Sequence, residues 1–180
     1  MTDITNFIRV YDNVVSPASC QKVIRIYEDN QNQVEEHNTE GYKFHQLNLR
    51  STNELAGLER AFFGTLHPIY TDYFTQLRLS KFVDLRAFEE IRIKKYLKNS
   101  TDEFKEHVDV MNADSAKRFA IAILYLNDNN GFTEFTDAGI MVEPKAGRVV
   151  VFPPFWMFPH RGVTPTDHDK YIMMSCLHYT

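Results

Sequence analysis

His107-Val108-Asp109 sets an imidazole and a carboxylate two residues apart in a chain of 180 residues. In a strand, residues two apart point to the same face, so both groups can converge on a single ion. Alone the pair is weak. With seven histidines, about one His-x-Asp/Glu is expected by chance at average acidic content, and a surface ion pair or turn accounts for most such pairs. His160 adds weight. It follows Val149-Val150-Val151-Phe152-Pro153-Pro154, which reads as a buried strand, although a histidine at such a strand's end is often merely packed. Ten residues later stands Lys170, at the edge of the apolar stretch Tyr171-Ile172-Met173-Met174-Ser175-Cys176-Leu177. A lysine entering an apolar strand is costly unless it pairs with an anion or snorkels to water. Together the four residues make chemical sense. Two imidazoles and a carboxylate on one face of a metal leave three octahedral positions open, the ligand set associated with non-haem Fe(II) oxygen chemistry. A bidentate 2-oxo acid fills two and dioxygen the third. A dicarboxylic 2-oxo acid needs a cation at its far end, and Lys170 is the natural candidate.

A scaffold must hold these groups. The length suits one domain with a real core. Hydrophobic content of 43% and charged content of 24% fit an ordered globular chain rather than a disordered one. The net charge of -4 without a dense Lys/Arg run argues against tight nucleic-acid binding, though Arg92, Lys94 and Lys95 can form a local basic strip. Cys20 and Cys176 form no disulfide framework; they read as small buried hydrophobes in a reducing, cytoplasmic setting. No signal peptide or membrane-spanning run is expected.

Phe7-Ile8-Arg9-Val10-Tyr11 reads as a strand, and Ser16-Pro17 as the start of a helix to about Glu28. Residues 30–50 are polar and read as a loop or irregular excursion. A second helix is expected from about Ser51 to Leu77, with Leu55, Leu58, Phe62, Phe63 and Leu66 on one face, kinked or split at Pro68. From about Phe82 strands follow. Glu89 to Tyr96, Phe119 to Leu126, Phe132 to Phe135, Ile140 to Val142, Gly147 to Phe152 and Tyr171 to His178 are the candidates. Short strands at turn-rich spacing indicate a sandwich or barrel. The expected class is α+β, with helical support over about 1–80 packed on a β core over about 82–180.

In these motifs the sequence resembles the 2-oxoglutarate/Fe(II)-dependent dioxygenase superfamily, and most closely its prolyl 4-hydroxylase-like branch. The matching residues are His107-x-Asp109, His160 and Lys170, in that order. Tyr96 resembles the tyrosine preceding the His-x-Asp motif there. Arg118 with Tyr125-Leu126-Asn127, Gly131-Phe132-Thr133-Glu134-Phe135, and Glu143-Pro144-Lys145-Ala146-Gly147-Arg148 followed by Phe152 are similar to further family segments. The resemblance implies a double-stranded β-helix, or jelly-roll, as one domain spanning 1–180. It implies Fe(II) on His107, Asp109 and His160, and 2-oxoglutarate on Lys170 with help from Tyr96. Ascorbate is implied as reductant. The implied reaction hydroxylates an unactivated C–H bond of a peptidyl residue such as proline, releasing succinate and CO2. Arg118 and Glu89 would face the substrate, or else be paired structural charges. Trp156 reads as a core or loop anchor, with a substrate-wall role as the alternative. The chain departs from the branch in an insertion within Leu97 to Phe104 and in Asn130-Gly131 where the branch has Gly-Gly.

Two other readings stay open at this level. One is a related oxygenase acting on a small molecule or free amino acid. The other is a jelly-roll that binds metal without catalysis, which would have no need of Lys170.

Overall fold

Ser16 caps the first helix, α1 (Pro17–Asp29): its hydroxyl accepts from the Ser19 amide at 3.2 Å, and Pro17 sits in the first turn, where a missing N–H costs nothing. Cys20, Val23 and Tyr27 recur every three or four residues and form the buried face. These features come from a computed structural model that describes residues 3–51, 55–82 and 87–179. The second helix, α2 (Ala56–Gln76), buries Phe62, Leu66, Tyr70, Tyr73 and Phe74. Of the kink or split expected at Pro68, the split does not occur: the helix runs through the proline. A proline ring crowds the carbonyl four residues back. Here that residue is Gly64, whose backbone adapts more readily than that of any other residue. The part of the expected helix over residues 52–54 lies outside the described residues.

The described residues also include twelve strands: β1 (Arg9–Tyr11), β2 (Glu35–Asn38), β3 (Tyr42–Asn48), β4 (Ala87–Phe88), β5 (Arg92–Tyr96), β6 (Glu103–His107), β7 (Arg118–Tyr125), β8 (Thr133–Phe135), β9 (Ile140–Val142), β10 (Val149–Phe152), β11 (His160–Gly162) and β12 (Lys170–His178). They run in the order β1-β10-β7-β12-β5-β3-β6-β11-β8-β9, with β2 on β3 and β4 on β12. The path curls on itself. Phe152 of β10 and Phe135 of β8 stand far apart in that order, yet their rings meet edge to face at 4.8 Å. This nearly closed antiparallel sheet is the expected jelly-roll.

Alternation along the strands sorts the side chains into two cores. On β7, Ala120, Ala122 and Leu124 join the cluster that faces α1 and α2, whereas Ile121, Ile123 and Tyr125 join the cluster inside the barrel. Both faces are buried, so this strand reads as a continuous apolar run. The same pattern on β12 turns Tyr171, Met173 and Leu177 outward and Ile172, Met174 and Cys176 inward.

Residues 30–50 overturn the expectation of a loop. They hold the β2-β3 hairpin, and β3 lies between β5 and β6. Phe44 packs inside the barrel while Leu47 and Leu49 face the helices. Apolar residues split between opposite faces leave no period-two stripe to read. The first 80 residues therefore contribute strands β1, β2 and β3 as well as helical support. The strand expected from Phe7 begins later, because Ile4–Phe7 forms a 3-10 turn capped by Asp3. No helix among the described residues is long and apolar enough to cross a membrane.

Gly147 ties the chain's start to β10. Its carbonyl accepts from Val14 at 2.9 Å, its φ is +84°, and a Cβ there would lie 1.9 Å from the Val15 carbonyl oxygen. Gly147→Ala is expected to destabilise the fold by roughly 2–4 kcal/mol, from the left-handed backbone and the forced contact together. Urea unfolding at equilibrium measures this; a loss below about 1 kcal/mol would mean the Val15 segment moves aside freely.

Candidate active site

His107 ends β6 and His160 begins β11. The two are register partners, which sets their rings side by side with centroids 4.3 Å apart. Asp109 lies two residues past β6 and outside any strand, so strand alternation does not aim it. Backbone contacts do. The amides of Asp109 and Val110 both donate to the Pro154 carbonyl at 3.1 Å, and the Arg118 guanidinium donates to the Asp109 carbonyl at 2.9 Å. The carboxylate then sits with Oδ1 3.9 Å from His107 Nε2 and Oδ2 3.4 Å from His160 Nε2.

The protonation pattern follows from the second ring nitrogens. His107 Nδ1 lies 2.8 Å from the Lys105 carbonyl and His160 Nδ1 3.1 Å from the Phe158 carbonyl. A carbonyl only accepts, so each Nδ1 carries the proton and each Nε2 offers its lone pair toward Asp109. Burial, then the neighbouring His160, push His107 down to about 4, so its ring is neutral at ordinary pH. Phe104 lies flat on His107 at 3.6 Å, and Phe152 packs edge-on against His160 at 4.8 Å. One ligand atom from each of the three residues falls within 4.8 Å of the others. Asp109 Oδ2 is buried and accepts no hydrogen bond, an expensive state for a carboxylate oxygen unless a cation meets it. Imidazole nitrogen and carboxylate oxygen together suit a divalent first-row metal. The three residues therefore fit the group that the sequence implies.

Lys170 opens β12 opposite Tyr96 of β5. It is 2% exposed, and its Nζ donates to the Gly131 carbonyl at 2.6 Å. The rings of Tyr96 and Tyr125 flank it at 5.5 and 5.9 Å. Among the described residues no carboxylate pairs with it. Burial pushes its ammonium down to about 7. It lines the same cavity as His107, Asp109 and His160. Tyr96 does so too, with its phenol raised above the usual value by burial.

The other expected site residues fall elsewhere. None of Glu89, Arg118 and Trp156 lines the cavity. Glu89 and Arg118 take the paired alternative, at 2.8 Å. Burial resists ionisation of Glu89, yet hydrogen bonding and charge from Arg118, with Arg92 and His178 beside it, hold its carboxyl down to about 2. Arg118 acts instead as the brace on the Asp109 backbone. Trp156 is 76% exposed, so it is not core; Phe158, two residues on, is the buried anchor of that loop. The basic strip does not form one face either. Arg92 pairs with Glu89 and Glu90, and Lys95 pairs with Glu28 and Asp169, while Lys94 turns inward.

Lys94 and Phe104 also line the cavity, beside apolar residues such as Ile121, Ile123 and Met174, and none of these carries a site role in the sequence motifs. The signal was present for Lys94, because it stands two residues before Tyr96 on the same strand and so shares its face. Burial pushes its ammonium down to about 8, against the pull of the Asp109 charge.

Comparison with known proteins agrees with this arrangement. Residues 91–178, which carry β5 to β12, match the family model of the 2OG-Fe(II) oxygenase superfamily. No curated protein matches the chain in sequence. Among solved structures the chain resembles the viral collagen prolyl hydroxylase of Paramecium Bursaria Chlorella virus-1 in complex with 2OG, with TM-score 0.71, 15% identity and 97% of both chains covered. It resembles a Pseudomonas putida prolyl-4-hydroxylase with TM-score 0.70, 17% identity, 97% of this chain and 93% of that one. A Trichoplax adhaerens prolyl hydroxylase in complex with a hypoxia inducible factor peptide fragment gives TM-score 0.68 and 16% identity over 97% and 84%. At such identities the likeness is one of fold.

A divalent cation that binds only the folded site stabilises it. With Mn(II) as a probe at one hundred times its dissociation constant, the gain should be about 2.7 kcal/mol. Thermal unfolding with the cation and with chelator reads this. His160→Ala should abolish the gain; an equal gain in that variant would place the cation elsewhere.

Proposed function

We propose, on the premise that residues 91–178 form a 2OG-Fe(II) oxygenase domain and the chain is a 2-oxoglutarate-dependent dioxygenase, that it hydroxylates a peptidyl residue, proline first among candidates. His107, Asp109 and His160 would hold Fe(II), and Lys170 would receive the distal carboxylate of 2-oxoglutarate. When bound, Fe(II) supplies the oxidation by which one oxygen atom of O2 enters a C–H bond and the other enters succinate, with loss of CO2. The observation that carries the reading is Lys170: a buried lysine whose hydrogen bond goes to a neutral carbonyl, in the same cavity as two imidazoles and an unsatisfied carboxylate.

The chain's own groups have separate tasks in this reading. The carbonyls of Lys105 and Phe158 fix the tautomers that leave both Nε2 atoms as donors of lone pairs. Arg118 and the Pro154 carbonyl hold the Asp109 loop in place. Tyr96, Ile123 and Ile172 wall the cavity and exclude water, which strengthens every charge interaction inside it. Support for a peptidyl proline is that the resembling folds are prolyl hydroxylases, one of them with a peptide bound. The two buried free thiols, Cys20 and Cys176, fit a reducing compartment such as the cytoplasm.

Succinate formation from 2-oxoglutarate with Fe(II) and ascorbate tests the class. Wild type should turn over and His160→Ala should not; no turnover and no metal-dependent 2-oxoglutarate binding by wild type would sink the reading. Mass spectrometry of a proline-rich peptide panel should find a product heavier by one oxygen.

Lys170→Ala is expected to weaken 2-oxoglutarate about 10- to 100-fold, the worth of a charge-assisted pair in a buried site, while metal affinity changes less. The wild-type affinity carries a pH signature. Only the ammonium form attracts the carboxylate, and burial pushes the Lys170 ammonium down to about 7 when no anion meets it. Below that pH the group is already charged and its contribution is constant. Above it, binding must take up a proton, so affinity falls by up to about tenfold per pH unit until the pKa of the complex is passed. Calorimetric titration from pH 6 to 9 in buffers of different ionisation heat would detect the proton. Absence of uptake would assign the carboxylate to another cation.

A further inference from the structure

Among the described residues, Lys94 is the one ionisable side chain lining the cavity that this reaction leaves unused. It lies on β5 between Gln46 of β3 and Ile172 of β12, and it is 6% exposed. Among the described residues its Nζ makes no hydrogen bond and no ion pair. It rests on the Phe44 ring at 4.1 Å and near the Phe104 ring at 5.2 Å, and Phe104 in turn covers His107. The ammonium thus stands beside the metal triad, one inward-facing position along β5 from Tyr96.

Charge decides what such a group can take. Asp109, Lys170, a ferrous ion and 2-oxoglutarate together carry no net charge. The charged residues at the adjacent end of the barrel also balance one another, since Glu89 and Glu90 pair with Arg118 and Arg92. Lys94 adds one positive charge that neither the cofactor nor the co-substrate neutralises. Contact with two aromatic faces offsets part of the cost of burying it. It does not supply the anion that a dry ammonium favours most. Dioxygen is neutral, so the participant left to carry an anion is the primary substrate.

We infer that Lys94 pairs with a carboxylate on the primary substrate, so that the enzyme selects acidic molecules over their neutral analogues. The inference rests on the dioxygenase reading of the site and narrows its substrate class. The carboxylate belongs either to a free acid or to an acidic peptide, and both present the same group to the ammonium.

Mn(II) bound in place of iron, with 2-oxoglutarate and without oxygen, makes a stable probe of this pocket. It broadens the proton NMR lines of any molecule held beside it. The probes are pairs that differ only in charge: acetate and acetamide, L-proline and L-prolinamide, and a proline peptide with Glu or Gln next to the proline. Wild type should broaden at least one carboxylate member about tenfold more than its amide, as expected for loss of one charge-assisted contact. The preference should vanish in Lys94→Met and persist in Lys94→Arg. Lys94→Met removes a buried charge at nearly constant volume, so it should fold at least as stably as wild type. The pair that shows the preference identifies a free acid or a peptide as the source. Equal broadening of every pair by wild type overturns the proposal, and so does a preference that survives Lys94→Met. A tenfold loss of 2-oxoglutarate affinity in Lys94→Met overturns it as well, because the ammonium would then serve the co-substrate. Failure of wild type to bind 2-oxoglutarate at all would instead strike the dioxygenase reading.

Discussion

Two lysines and a carboxylate are held inside an apolar barrel, and the rest of the structure follows from keeping them there. A charge in such a place is expensive. Lys94 and Lys170 are both pushed well below the ordinary lysine range by burial, and Asp109 keeps an oxygen with no donor. A fold tolerates this cost when the charges converge on something that arrives later. Here the lone pairs of two imidazoles, the open carboxylate oxygen and the Lys170 ammonium share one cavity. Their mutual placement makes sense as an electrostatic whole once a divalent cation and a dicarboxylate are counted with them.

The scaffold meets that cost through burial elsewhere. Strands β7 and β12 carry apolar residues on both faces, so one side seals the cavity while the other anchors the helices. α1 and α2 therefore support the site without touching it. Backbone contacts complete the positioning. The Pro154 carbonyl holds two successive amides of the Asp109 loop, and Arg118 holds its carbonyl while Glu89 fixes Arg118. Arg118 and Glu89 have the look of substrate-binding charges in a sequence. In the fold they form a brace, because each finds a partner of opposite sign before reaching the cavity.

Much of the chemistry was legible in residue order alone. His107, Asp109, His160 and Lys170 were readable because their types and order are unusual together, and Tyr96 because it resembles the tyrosine that precedes the His-x-Asp pair in the family, although an insertion lengthens the step between them here. α1 and most of the sheet were readable because capping residues and apolar runs leave periodic marks. Strand β3 was not. Its apolar residues divide between the helix side and the barrel interior, and the polar residues among them hide any stripe. The unbroken run of α2 through Pro68 was also hidden, since a proline read in sequence alone marks a break as readily as a kink.

The sequence by itself determined which groups are available: two imidazoles, one carboxylate and a lysine whose apolar neighbours would carry it inside. Only the tertiary structure decided how they meet. Asp109 is aimed by hydrogen bonds to segments 45 and 9 residues away in sequence, Pro154 and Arg118, and not by strand alternation. The inward turn of Lys94, against the outward turn of its neighbour Lys95, follows from β5 being closed between β3 and β12. Local sequence sets which side chains share a face of a strand. Which face becomes the inside is settled only when distant strands pair and shut out the water.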